Sequence, residues 1–113
     1  LQATYYKQHV DPAAVGGPGG ESNGGAHFAY LERMLAAAPG AGGGPFFLGA
    51  KPSAADFVLY DLADCHARVF PGALALHPRV AAAHAAVGAL PAVAAYMASE
   101  RRHAKINNNG LGQ

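Results

Sequence analysis

Cysteine is almost missing from this 113-residue chain: Cys65 stands alone, so no internal disulfide can form. A lone thiol suits a reducing compartment, and a cytoplasmic protein is expected. Charge is sparse too, with 13% charged residues and a formal net charge of +1. So even a balance leaves no broad positive field for nucleic acid. Arg101, Arg102, His103 and Lys105 do cluster, but at the end of the last expected helix, where cations complement the helix dipole. No apolar run approaches the roughly 20 residues of a membrane span, and no membrane partner is expected. The chain starts at Leu1 without a charged segment leading into an apolar one. Neither a signal peptide nor a natural start is expected there, and the sequence reads as a piece of a longer protein.

Metal and phosphate signatures are also wanting. None of the six histidines stands four residues from another, and no cysteine joins them at ligand spacing. His77 and His84 are seven apart without a third candidate ligand, so no metal is expected. The stretch from Gly44 to Lys51 superficially suggests a phosphate loop. A Walker A loop, however, needs lysine directly after its second glycine. Here Ala50 intervenes, and Pro45-Phe46-Phe47 would bring bulk and a missing N–H to a cradle made of N–H groups.

What the chain has in quantity is apolar side chains, 51% of the total, enough for one globular domain over residues 1–113 with a modest core. The organising stretch is Gly49–Gly72. Ser53 is a good N-cap, and Asp56, three residues on, can reach back to the Ser53 N–H to complete a capping box. Pro52 and Phe57 flank the box where a hydrophobic staple would pack. Each of the two polar side chains is expected to contribute about 1 kcal/mol. Downstream, Val58, Leu59, Tyr60, Leu62, Ala63, Cys65, Val69 and Phe70 leave only a narrow polar strip. At ~100° per residue, Asp61, Asp64 and Arg68 fall within an arc of about 60°. A helix so apolar belongs at the centre of a domain, and Pro71-Gly72 stops it. Arg68, four residues after Asp64, is placed for an ordinary ion pair.

Other helices read around it. Residues 1–10 read as the tail of a helix with Leu1, Tyr5 and, less clearly, Tyr6 and Val10 near one face, ended by Pro12. Residues 11–25 are rich in Gly, Pro, Ser and Asn, and a mobile loop is expected. A helix is expected over 27–38, with Phe28, Leu31, Met34 and Leu35 inward and Glu32 and Arg33 outside. Pro78 opens a further helix whose apolar side is Val80, Ala83, His84 and Val87. Pro91 opens the last, running to about His103 with Val93, Tyr96 and Met97 inward. The fold class is therefore all-α, about five helices around a central buried helix over about 53–70.

The ordered set Phe46-Phe47-Leu48-Gly49, Ser53-x-x-Asp56, Asp61, His66 and Pro71-Gly72 resembles the sixth helix of the C-terminal domain of glutathione transferases. Pro78 and Pro91 have the spacing that starts the next two helices in pi-, mu- and sigma-like members. The tail Ile106-Asn107-Asn108-Asn109-Gly110 is similar to the pi-class ending. The resemblance is good over 45–110 and poor over 1–44, where the Gly-rich stretch replaces a more compact segment. It implies a parent enzyme that joins the thiol of glutathione, its co-substrate, to electrophilic carbon. The thiol is then activated by a Tyr, Ser or Cys of an N-terminal thioredoxin-like domain, which also holds glutathione and is not in this chain.

No catalytic residue is therefore assigned here, and the 113-residue chain alone is expected to be inactive. The resemblance places Tyr6 and Val10 on the wall for small hydrophobic electrophiles and Asn107 and Asn108 at its rim. Core tyrosines and a frayed terminus are the competing readings of those positions. Ser53 and Asp56 serve the fold, as does Asp61. A homodimer of the full-length protein is implied. His66, on the apolar side of the central helix, reads as a structural histidine, and Cys65 as a buried, inert thiol. Two other roles fit the same resemblance. One is a non-catalytic interaction module, as in elongation-factor and tRNA-synthetase assemblies; the other is a sigma-class prostaglandin isomerase.

Overall fold

The computed structural model describes residues 26–37 and 44–103, together with Ala3. Among them the chain is all-α: α1 Ala26–Ala36, α2 Ala54–Val69, a short 3₁₀ helix Ala73–Leu76, α3 Pro78–Gly88 and α4 Pro91–Met97. The expected loop over 11–25 lies outside the described residues.

The start of α2 is built on one carboxylate. Ser53 is the N-cap with extended backbone, and both halves of the capping box with Asp56 are present. Asp56 is fully buried. Its Oδ2 accepts from the Ser53 N–H and the Ser53 hydroxyl, both at 2.7 Å, while Oδ1 accepts from the Phe47 N–H at 2.9 Å. The last bond ties the preceding loop to the helix, a role that the spacing of the box does not reveal. In that loop Phe46 and Gly49 exchange backbone hydrogen bonds across a tight turn. Gly44 runs so close to it that a Cβ would lie 2.2 Å from the Gly49 carbonyl oxygen. The N–H groups of Phe46, Phe47 and Gly49 are thus engaged by protein acceptors. Pro52 is exposed and Phe57 is 43% exposed, so burial at this start rests on Asp56 and Leu59 rather than on a staple.

The central helix has the expected bounds, with one-sided burial among the described residues. Asp56, Leu59, Ala63 and His66 form its buried stripe, whereas Val58 is 69% exposed. The central position is shared with α3, the element that touches α1, α2, the 3₁₀ helix and α4. Val80, Ala83 and Val87 of α3 are buried. Alanine suits this place because its small side chain lets helices approach closely, although each one buries little area. Phe28 is the largest fully buried side chain, with Leu35, Leu59, Ala63, Ala73, Val80 and Ala83 around it. It also meets the ring of His66 edge-on at 4.9 Å and that of buried His77 at 5.2 Å.

Two expectations about α1 are corrected. Its inner face carries Phe28, Leu31, Glu32 and Leu35, and Met34 points out, 57% exposed. At ~100° per residue Met34 stands about 120° from Phe28, but Glu32 only about 40°. Glu32 tolerates this place because it caps α3, whose own N-cap, His77, makes no side-chain cap bond. The carboxylate accepts from the Arg79 N–H at 2.8 Å and the Val80 N–H at 2.9 Å. An anion at a helix N-terminus satisfies orphan donors and faces the positive end of the dipole.

The last helix also ends early, at Met97 instead of about His103. The Ser99 hydroxyl donates to the Tyr96 carbonyl at 2.7 Å, and the Ser99 and Arg102 N–H groups make short-range turn bonds. Such local side-chain bonds compete with helix continuation.

Candidate functional site

The helices α3 and α4 meet at a bend of 86°, and a cleft lies between α4 and one side of α2. Its volume is about 400 Å³. From α2 the residues Phe57, Asp61, Asp64 and Arg68 face it, joined by Tyr60. Their spacing of four, three and four is one stripe of a helix. From α4 come Val93, Tyr96 and Met97, and Arg102 and His103 follow from the turn beyond. The narrow polar strip that the sequence marks on this helix is thus the floor of a half-open apolar cleft.

Asp64 is the electrostatic hub of this region. Its Oδ2 pairs with Arg68 one turn on, as the spacing predicts, and with the Arg102 guanidinium at 3.1 Å. Its Oδ1 lies 3.4 Å from His84 Nε2. Arg102 was expected to complement the end of α4; it crosses the cleft to α2 instead. His84 in turn stacks on Tyr60, with ring centroids 4.6 Å apart and planes 13° from parallel. Gly88, at the end of α3, makes room for that ring: a Cβ there would stand 3.3 Å from Tyr60 Cε2.

Burial, with the Asp64 carboxylate adding to it, raises the Tyr60 pKa above the usual tyrosine value despite the opposing pull of Arg68. Burial likewise raises that of Cys65, helped by Asp61 and Asp64. Both groups keep their protons at neutral pH, so neither offers an anion that would take a proton from a substrate thiol. Cys65 is half-buried, and its raised pKa suits an unreactive thiol. His66 is buried, with Nδ1 2.7 Å from the Leu62 carbonyl oxygen, as befits a structural histidine. Among the described residues no group of three or more His, Cys, Asp or Glu is arranged to hold a metal ion, and no single helix is long and apolar enough to cross a membrane.

The sequence-derived site residues divide cleanly. Ser53 and Asp56 are placed together at the start of α2. Tyr6, Val10, Asn107 and Asn108 lie outside the described residues. The α2–α4 cleft was not anticipated. Its sequence signal was present in Phe57, Asp61, Asp64 and Arg68, but the stripe cannot tell open solvent from a facing helix.

Comparison with curated proteins and with solved structures gave no match. The family model described as glutathione S-transferase, C-terminal domain, matches residues 4–100. With most of its length so matched, the chain belongs to the glutathione S-transferase C-terminal domain family.

Proposed function

We propose that the chain is the all-α half of a glutathione transferase that joins glutathione to hydrophobic electrophiles. The observation that carries this reading is the family match over residues 4–100. The buried Asp56 start of α2 accords with it. In the reaction, glutathione sulfur gives up its proton and bonds to an electrophilic carbon. The thiol would be activated elsewhere, in the N-terminal thioredoxin-like domain that the resemblance implies. Residues 1–113 would then be one domain of a cytoplasmic homodimer. Tyr6 and Val10 would line the acceptor wall, and Asn107 and Asn108 its rim. The tail over 106–110 favours a pi-like class.

A conjugation assay with an aryl halide acceptor tests the reading. The full-length parent is expected to turn over, and the 113-residue chain alone to show none. In the parent, Tyr6→Ala and Asn108→Ala are expected to raise KM for the acceptor and leave KM for glutathione unchanged. Turnover by the 113-residue chain alone, or a parent that conjugates nothing, contradicts it; the second result would favour a non-catalytic module.

A further inference from the structure

We infer that the cleft between α2 and α4 is a binding site for a planar aromatic cation, a ring system carrying a protonated amine, with Asp61 as its counter-ion. Phe57 and Tyr96 are 43% and 44% exposed and present ring surface to the cleft from its two helices. Tyr60 adds a third ring, fixed in orientation by its stack on His84. Val93 and Met97 extend the apolar lining. A flat ligand between such walls removes apolar surface from water and gains ring–ring contact. The volume of about 400 Å³ is within the range of small-molecule sites.

Charge decides which kind of ring. Asp64 already holds Arg68 and Arg102, with His84 at its other oxygen. The charge of the two guanidinium groups is thus already offset within the cleft by Asp64. Asp61 differs. It is exposed on the same stripe, one turn after Phe57, and among the described residues no cation pairs with it. A protonated amine reaching Asp61 would make a charge-assisted hydrogen bond, and aromatic faces attract cations in their own right. The site does not depend on glutathione transfer, so its test is independent of the conjugation assay.

The test is titration calorimetry of the 113-residue chain, without glutathione, against three probes that share one ring: 1-naphthylmethylamine, 1-naphthylmethanol and 1-naphthoate. The amine is expected to bind about threefold more tightly than the alcohol, the increment of a charge pair open to water, and the carboxylate most weakly. Asp61→Asn is expected to erase the amine's advantage and leave the alcohol's affinity unchanged. Tyr96→Ala should weaken the amine and the alcohol together. Equal binding of amine and alcohol, preference for the carboxylate, or binding of none of the three overturns the inference. So does an amine affinity that survives Asp61→Asn. The probe order on the unaltered chain decides by itself if a variant fails to fold.

Discussion

Asp56 and Asp64 sit eight residues apart on α2, and their surroundings are opposite. Asp56 is fully buried, and its bonds come from two backbone N–H groups and a hydroxyl. Asp64 is partly open to solvent, and its partners are two arginines and a histidine. The contrast separates architecture from adjustable surface. Neutral donors held by backbone geometry cannot follow a carboxylate that leaves; they remain buried without a partner, which costs about 1–3 kcal/mol each. Arg68 and Arg102 keep 27% and 23% of their side-chain surface in water, so they can swing outward and resolvate in part when the carboxylate goes. The first aspartate therefore defines where α2 begins and how the loop before it is held. The second ties α2 to the turn beyond α4 beside a cleft that stays open.

Breaking the first site should have the largest effect. Asp56→Ala removes the acceptor of all three bonds, and about 3 kcal/mol of stability is expected to go, a fall in Tm of roughly 12 °C. That exceeds the ~1 kcal/mol of an ordinary cap, the value expected from the sequence for both members of the box. A loss no greater than that of Ser53→Ala would show that the bond to Phe47 contributes nothing. Next comes Glu32→Ala, which uncaps α3 from a distance and should cost about 1–2 kcal/mol in urea unfolding. Unchanged stability there would mean that water replaces the carboxylate at no cost. Ser53→Ala follows at ~1 kcal/mol.

Asp64→Asn removes the charged acceptor shared by Arg68 and Arg102. It should cost less than about 1 kcal/mol, and less still as salt is raised. A larger, salt-independent loss would place Asp64 with Asp56. The smallest effect is a titration. Burial first, and Asp64 second, raise the Tyr60 pKa, so the folded protein holds this proton more firmly than the unfolded chain. The associated stability is complete below the ordinary tyrosine pKa and is lost as pH rises through the folded value. Ultraviolet titration of Asp64→Asn should show one tyrosine moving back toward its usual value; no movement would remove Asp64 as a cause.

Local chemistry made much of this readable in advance. The box at Ser53 and Asp56 and the prolines at 78 and 91 mark helix starts within a residue of those observed. The i,i+4 spacing of Asp64 and Arg68 marks an ion pair. Each depends on residues within one turn of each other. What stayed hidden depends on residues far apart in the chain. Glu32 looks like a solvent-facing helix residue until α3 is set against it, 47 residues on. Arg102 looks like a dipole partner until the 86° bend brings the turn after α4 back to α2. The cleft itself depends on how α2, α4 and the turn beyond α4 are set in space, which no periodicity within either helix specifies. Met34 misleads for a different reason: hydrophobicity suggests the interior, but helical angle puts it on the far side.

The buried Asp56 carboxylate that begins α2 is the centre of this architecture. Amide hydrogen exchange at Phe47 and Ser53 reads it directly, because both N–H groups donate to Asp56 and neither belongs to a helix. Strong protection of both amides is predicted in the unaltered chain, with both lost together in Asp56→Ala while the amides of α3 keep theirs. Exchange of Phe47 and Ser53 at open-chain rates in the unaltered protein would contradict it.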